Sequence, residues 1–416
     1  MARLGVEPST IYIPGVRGHR ARIHAAMRMP QPRALRSFLL LYVLLYASFG
    51  VASPFWPRYF ETRGLSPEQI GLLLGLSTIV RLIAGPVAAR IADRSQRLRH
   101  VLATAAAMAA CLAFAFGQPW IGGFWILLVV RLCHEAALTP TTSLADALVL
   151  NASRPRASSG VNFEYGWVRG SASAAFVFGT LAAGQVIGWT ALASIAWMHG
   201  ALLLLAAAST MLLPAHDTRT DASPRPSSSF RAIQELMGIV LFRRMVLVAA
   251  LVYGSHAMHD AFAVIRWNAA GVSPMAISVL WSEAVVAEVV VFILIGPRWV
   301  DALGPGRAAA IACAAAVLRW LVVASSTHPG ALAIVQPLHG LTFALLHLAC
   351  MRLIGASVPR HLAATGQAIY ALGPALLTAL LTLSSGILYA RLGAGSFLLM
   401  ALLPALALPL CSRLKT

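Results

Sequence analysis

The sequence predicts an all-α polytopic membrane protein in which twelve transmembrane helices form two pseudo-symmetric six-helix bundles. Three observations lead to this prediction. The 416 residues are 59% apolar and 11% charged, whereas an average soluble protein is about 25% charged. Twelve apolar windows are each long enough to cross a bilayer. One long hydrophilic connection separates the first six windows from the last six.

The predicted spans come from windows of about 20 apolar residues, the length that crosses the hydrocarbon core. They are residues 37–60, 68–89, 100–117, 120–149, 162–186, 190–213, 244–266, 275–297, 306–326, 329–354, 363–388 and 394–411.

The net charge of +18 does not indicate a nucleic-acid binder, because the basic residues lie in the gaps between apolar runs. Short loops rich in Arg and Lys stay in the cytoplasm. With the N-terminus inside, 24 of the 32 basic residues fall on the cytoplasmic side and four on the opposite side. We therefore predict cytoplasmic N- and C-termini, with anionic lipid attracted to that face.

Hydrophilic segments divide the chain into five parts. These are a disordered cytoplasmic extension (1–36), a first bundle (37–213), a central cytoplasmic loop (214–243), a second bundle (244–411) and a cytoplasmic tail (412–416). Within the central loop, residues 230–241 fit a short amphipathic helix on the membrane surface. Met27 and Met29 are alternative starts, so translation of residues 1–26 is left open.

The two halves share a faint repeat. A Gly-Pro pair at 85–86 is expected to end the second span, with Asp93 following, and a second pair at 296–297 to end the eighth, with Asp301 following. Such duplication is typical of a transporter built from two repeats, with substrate bound between them near the midplane.

A charged turn, ARIADRSQR at 89–97, joins the second and third spans. It resembles the Gly-x-Leu-Ala-Asp-Arg-x-Gly-Arg motif of the major facilitator superfamily. Asp93, Arg94 and Arg97 match the charged positions, whereas both glycines are replaced. The resemblance implies the major facilitator fold, with these three residues as a conformational gate that holds the halves together when the cavity opens outward.

Seven further segments carry a narrower resemblance. They are PFWPRYFETRGLSPEQIGLLLG (54–75), SLADAL (143–148), EYGWVRGSASAAF (164–176), WNAAG (267–271), VVAEVVVF (285–292), VLRW (317–320) and QPLHGLTFALLHLACMR (336–352). They resemble the 3-phenylpropionate permease group, which is similar to the lactose-permease type of proton symporter. This resemblance implies proton-coupled uptake of an aromatic carboxylate across a bacterial inner membrane, with the proton gradient as the energy source and no cofactor.

Ionisable side chains inside spans are candidates for function, because each costs roughly 2.5–3.5 kcal/mol on insertion scales. The fourth span holds Arg131, Glu135 and Asp146. Arg131 precedes Glu135 by four residues, so the two can pair on one helix, either as a proton-responsive acid beside a cation or as a structural pair. Asp146 is expected to form a salt bridge with Arg169, at similar depth on the fifth span.

Small residues four positions apart predict close helix packing. Two such pairs are Gly71 with Gly75 and Gly166 with Gly170.

The second half carries a comparable polar set. His256, His259 and Asp260 share one face of the seventh span, which favours a polar stripe toward a cavity over a metal site. Glu288 lies inside the eighth span and Arg319 inside the ninth. The tenth span adds Gln336, His339 and His347.

An acid, an Arg and a His on consecutive spans resemble the proton and substrate machinery of the lactose-permease type. The candidates for proton coupling are Glu288, Glu135, Asp146 and Asp260. The candidates for substrate binding are Arg319, Arg169, His339, His347, His259, Trp281 and Tyr370.

Two alternatives stay open from the sequence. A proton-coupled sugar or nucleoside symporter would use a similar skeleton of polar positions, and a membrane sensor or assembly factor would need no buried acid–base set. No nucleophile–base, phosphate-loop or metal motif indicates an enzyme. A monomer that binds a small molecule and protons is expected, and the substrate, the direction of coupling and its stoichiometry are not determined.

Overall fold

The computed structural model describes residues 32–95, 97–153, 165–213 and 230–414. These residues form helices and connecting turns, with no strand among them. Within these described ranges, eleven helical stretches are long and apolar enough to cross a membrane. The last, Arg360–Cys411, has 52 residues and would be far longer than a bilayer is thick if it were one helix.

A turn divides this last stretch. Gly393 has φ = 52° and separates the helices Ala363–Leu392 and Ser396–Cys411. Positive φ is readily adopted by glycine because it has no Cβ. The chain is therefore a multi-pass membrane protein with twelve transmembrane helices, which confirms the predicted fold class.

The twelve transmembrane helices are labelled α1–α12. In the first half they are α1 Pro32–Ala52, α2 Pro67–Ser95, α3 Leu98–Phe116, α4 Phe124–Ser153, α5 Tyr165–Trp189 and α6 Ser194–Ser209. In the second half they are α7 Val240–Ala269, α8 Pro274–Leu303, α9 Pro305–Ser325, α10 Pro329–Ser357, α11 Ala363–Leu392 and α12 Ser396–Cys411.

Two parts of the predicted organisation lie largely outside the described residues. α1 begins at Pro32, so residues 32–36 of the expected disordered extension are helical. Residues 1–31 are not described, nor are 214–229 of the central loop. The short helix expected near the end of that loop is present as Phe230–Gly238.

The first predicted span, residues 37–60, is two helices. α1 ends at Ala52, and a short helix, Trp56–Thr62, follows a turn. Pro54 and Pro57 have no amide hydrogen, so a continuous helix would lose two backbone hydrogen bonds at this point.

Neither Gly-Pro pair ends its helix, which corrects the predictions for 85–86 and 296–297. α2 continues through Pro86 to Ser95. A proline removes one backbone hydrogen bond, and transmembrane helices tolerate this because neighbouring groups satisfy the freed carbonyl.

In α8 the chain accommodates its proline differently. A π-helical stretch, Val291–Ile295, comes just before the Gly-Pro pair. Pro297 comes just after this stretch, at the start of the helical segment Gly296–Leu303, and the wider π-helical turn accommodates a residue without an amide hydrogen. α8 therefore extends to Leu303.

Each half packs mainly on itself. In the first half, α1 packs on α5 and α6, α2 packs on α4, and α3 packs on α4 and α6. In the second half, α7 packs on α11 and α12, and α9 packs on α10 and α12. The halves meet where α2 contacts α11 and where α5 contacts α8.

Close contacts between the halves lie at one end of the bundle. We call the end with the α2–α3 connection the motif face and the other end the far face. Near the far face, a Cβ on Gly71 would come within 2.6 Å of the backbone nitrogen of Gly386, and a Cβ on Gly184 within 2.1 Å of Ser278 Oγ. Only glycine allows helices to approach so closely, so the packing predicted for Gly71 is confirmed.

The other glycine pair does not pack as predicted. A Cβ on Gly166 or Gly170, near the motif-face end of α5, would meet no atom within 4 Å. These residues border open space because the halves are apart at that end. The space between the halves therefore opens toward the motif face.

Candidate functional site

A cavity of about 600 Å³ lies between the two halves. Residues from both halves line it. Those with polar or aromatic side chains include Phe49, Trp56, Thr78, Arg81, Arg131, Glu135, Phe176 and His199 from the first half, and His259, Asp260, Trp281, Arg319, Gln336 and His339 from the second.

The first-half wall centres on Glu135. Its Oε1 accepts from Nε of Arg81 on α2 at 3.0 Å, and the Arg81 Nη2 atom lies at the same distance. Its Oε2 lies 2.8 Å from Nη2 of Arg131, four residues earlier on α4. The predicted Arg131–Glu135 pair is confirmed. Arg81 was not predicted as a site residue, because its partner is 54 positions away in the sequence.

These three residues differ sharply in exposure. The Glu135 and Arg131 side chains are 4% and 8% exposed, whereas the Arg81 side chain is 56% exposed. The guanidinium of Arg131 lies over the Trp56 ring, 5.5 Å from its centroid, and its Nε and Nη1 atoms are buried with no hydrogen-bond partner among the described residues. Two cations therefore share one carboxylate.

A buried histidine pair lies beside this cluster. His199 on α6 places Nδ1 2.8 Å from the carbonyl oxygen of Ser48, which can only accept, so Nδ1 carries the hydrogen. In the neutral pair, Nε2 of His134 on α4 then donates to Nε2 of His199 at 3.1 Å. The pair was not predicted, because its members are 65 residues apart in sequence.

The second-half wall centres on Arg319 of α9. Its Nε and Nη2 donate to the side-chain oxygen of Gln336 at 3.2 and 2.9 Å. Nη1 lies 3.2 Å from Nδ1 of His339, and Nη2 lies 3.5 Å from Nε2 of His259. Most of its donors are therefore in use, which leaves little of Arg319 for a substrate.

His259 connects that network to the cavity. Its ring stacks on Trp281 at a centroid distance of 5.0 Å, and its Nδ1 lies 3.2 Å from a carboxylate oxygen of Asp260. The Asp260 side chain is 61% exposed and lines the cavity. The structure thus brings together His259, Asp260 and Trp281. His256, from the predicted stripe, is buried and contacts Thr342 instead.

Glu288 is connected to the same network through His339. Since Arg319 only donates, His339 Nδ1 accepts and the neutral ring carries its hydrogen on Nε2. That Nε2 lies 3.5 Å from Oε2 of Glu288. The acid, Arg and His of three consecutive helices therefore form one chain of contacts.

Three predicted substrate residues lie away from the cavity lining, namely His347, Tyr370 and Arg169. His347 Nδ1 is 3.2 Å from the hydroxyl of Tyr370, which is 3.4 Å from the hydroxyl of Tyr253. His347 and Tyr370 are not among the residues that line the cavity.

The predicted salt bridge between Asp146 and Arg169 is wrong. Among the described residues their charged groups form no ion pair. Instead, Asp146 accepts hydrogen bonds from the hydroxyls of Tyr42 and Tyr165, at 2.5 and 3.0 Å. Arg169 donates to the hydroxyl of Tyr46 and lies over its ring. Tyrosines of α1 and α5 hold the two charges apart.

The predicted gate residues lie at the motif face. Arg94 and Arg97 are exposed there, and the side chain of Asp93 is outside the described set. Because this structure is open at the motif face, the expected role of the three residues in the opposite state stays a prediction.

A sequence profile of the MFS_1-like family matches residues 35–399. The chain belongs to the major facilitator superfamily. It is 33% identical to the probable 3-phenylpropionic acid transporter of Escherichia coli K12, over 90% of this chain and 97% of that one. It is 24% identical to the maltose permease of Geobacillus stearothermophilus, over 85% and 87% of the two chains.

Solved structures agree on the fold. The nucleoside transporter NupG superposes with a TM-score of 0.74 at 16% identity, over 91% of this chain and 97% of that one. The family, its relatives and this fold make the protein a transporter of small molecules and not an enzyme.

Proposed function

We propose that this transporter carries out proton-coupled uptake of a small aromatic carboxylate, similar to 3-phenylpropionate, by alternating access. The similarity to the probable 3-phenylpropionic acid transporter over almost the full length of both chains supports this substrate class. The proton gradient supplies the energy, without a cofactor, and a single chain carries the complete pathway.

The charge of the cavity is the observation that carries the proposal. Three guanidinium groups line it, from Arg81, Arg131 and Arg319, against the two carboxylates of Glu135 and Asp260. A low-dielectric cavity with a surplus cation attracts an anion.

Aromatic side chains complete the match to the substrate. Phe49, Trp56 and Phe176 line the first-half wall, and Trp281 lines the second. Their faces suit an aromatic ring, for which offset or edge-to-face contacts are favourable.

The distribution of basic residues orients the protein. It supports an orientation with both termini and the motif face in the cytoplasm, next to anionic lipid. The similarity to a transporter of Escherichia coli supports a bacterial inner-membrane location. In that orientation the present structure is the inward-open state.

Acids near the cavity supply the coupling site. Glu288 contacts His339, which also contacts Arg319, so its charge bears on the network of the second-half wall. Asp260 faces the cavity, and Glu135 lies between two cations. Asp146 accepts hydrogen bonds from two tyrosines, is not among the cavity-lining residues and is the weakest candidate.

A ligand panel tests the substrate class. Purified protein is heated in detergent with 3-phenylpropionate, 3-phenylpropionamide, maltose or uridine, and the unfolding temperature is recorded. A ligand that binds only the folded state raises that temperature. We expect stabilisation by the carboxylate alone. Stabilisation by maltose or uridine would instead support the sugar or nucleoside alternative.

A further inference from the structure

We propose that the substrate carboxylate binds to Arg81 and Arg131 in exchange for Glu135, and that protonation of Glu135 permits the exchange. This inference rests on the proposed function and assigns its anion-binding residues.

Arg81 is the guanidinium that a substrate can reach. Its side chain is 56% exposed and lines the cavity. Arg319 is 1% exposed and bonded to Gln336, whereas Arg169 is not among the cavity-lining residues. Arg81 presents Nε and Nη2 to one oxygen of Glu135, an arrangement that a substrate carboxylate can adopt in its place.

Arg131 provides the second cation and unused donors. Its Nε and Nη1 are buried without a hydrogen-bond partner among the described residues. Buried donors of this kind favour an incoming acceptor. The Trp56 ring, which lies against Arg131 and lines the cavity, offers an apolar surface beside the anion site.

Charge conservation explains why a proton must accompany the substrate. Without substrate, two guanidinium groups and one carboxylate give the cluster a net charge of +1. If substrate entered while Glu135 stayed ionised, two carboxylates would compete for the same donors. When Glu135 takes up a proton, the substrate carboxylate replaces its charge, and the cluster keeps the charge of +1. Release returns the proton from Glu135 to the aqueous side, and Glu135 pairs with both arginines again.

Charged or titratable groups surround Glu135 on its own helix, on two neighbouring helices and across the cavity. Arg81 faces it from α2, Arg131 from its own helix, and His199 from α6. Asp260 and Arg319 lie across the cavity. Among these, the two paired arginines contact the carboxyl directly, so they are the groups that its protonation releases.

The test measures binding of 3-phenylpropionate and of the neutral 3-phenylpropionamide to the purified full-length protein, across a range of pH at which the acid stays ionised. The variants are Glu135→Gln and Arg81→Gln, with Arg81→Lys to keep the charge. Arg90→Gln is the matched control, because Arg90 is an exposed residue near the motif-face end of the same helix.

We expect wild type to bind the carboxylate more tightly as pH falls, by up to about tenfold per pH unit. Glu135→Gln should bind it tightly at every pH. Arg81→Gln should lose about ten- to hundredfold of the preference for the acid over the amide, Arg81→Lys should retain part of it, and Arg90→Gln should match wild type.

If the wild-type protein binds the carboxylate, either of two results would overturn the proposed exchange of Glu135 for substrate. One is unchanged pH dependence in Glu135→Gln. The other is an acid-to-amide ratio in both Arg81 variants that equals that of wild type. A wild type that binds no 3-phenylpropionate at any pH overturns the proposed function, and this inference with it.

Discussion

Arg319 donates to Gln336 through two nitrogens, at 3.2 and 2.9 Å, and the acceptor is one amide oxygen. The same guanidinium contacts His259 and His339. A buried polar network positions its members only while each is paired. Gln336 therefore fixes the cation on which the second-half wall is built.

Replacing Gln336 should disturb both stability and transport. Gln336→Leu leaves two donors of Arg319 without their acceptor, which costs roughly 1–3 kcal/mol. We expect a lower unfolding temperature in detergent and reduced uptake of labelled 3-phenylpropionate. The control is Gln234→Leu, at an exposed position on the short helix Phe230–Gly238. Equal losses in the two variants would show that Gln336 has no special role.

Glu288 should be needed for accumulation and not for exchange. Glu288→Gln removes an ionisable group that contacts His339. Glu135 still takes up a proton with the substrate in this variant, but we expect that the empty transporter no longer returns to its outward-facing state. We expect the internal substrate concentration to stop at the external one, while exchange of labelled for unlabelled substrate continues. The matched control is Glu283→Gln on the same helix. Undiminished accumulation in Glu288→Gln would remove Glu288 from the coupling scheme.

The tyrosine cluster predicts that a charge swap fails. Asp146 and Arg169 are held by separate tyrosines and do not pair. The double variant Asp146→Arg with Arg169→Asp should therefore transport no better than either single variant, whereas Tyr46→Phe should weaken transport through the position of Arg169. Recovery in the double variant, measured as initial uptake rate at equal protein density, would show that the charges pair in another state.

Because the two halves pack tightly at the far face, we predict that a larger side chain there changes the conformation. Gly71→Leu cannot fit against the backbone of Gly386, so the far face should open. The readout is labelling of Thr78→Cys, a cavity position, by an impermeant maleimide added outside, with the native cysteines replaced. Labelling should increase for Gly71→Leu and not for Gly166→Leu, which borders open space. Equal labelling would contradict the assigned state.

Much of the fold follows from the sequence because bilayer crossing needs long apolar runs. Local helix geometry and helix packing were less predictable from the sequence. The Gly-Pro pair at 296–297 suggests a helix end, but the π-helical turn before it is set by packing and keeps α8 intact. Likewise, the glycine pair of α2 packs as its spacing predicts, whereas that of α5 does not, because the conformational state decides which faces meet.

Contacts within the candidate site could be predicted where the two residues in contact are close together in the sequence. Arg131 and Glu135 lie on one helix at i,i+4, and their pairing follows from helix geometry. Arg81 was itself detectable as a charge inside a span, but its partner is on another helix. His134 and His199 are likewise joined only by the contact between α4 and α6. Without knowledge of which helices pack together, the sequence could not connect these residues.

The central claim is tested most directly by uptake of labelled 3-phenylpropionate into proteoliposomes that contain the purified protein. The external solution is made more acidic than the lumen, and a protonophore removes the gradient in a parallel sample. We predict accumulation above the external concentration with the gradient, and equilibration without it. Uptake that is the same with and without the gradient would contradict proton coupling, and no uptake beyond that of protein-free liposomes would contradict the substrate class.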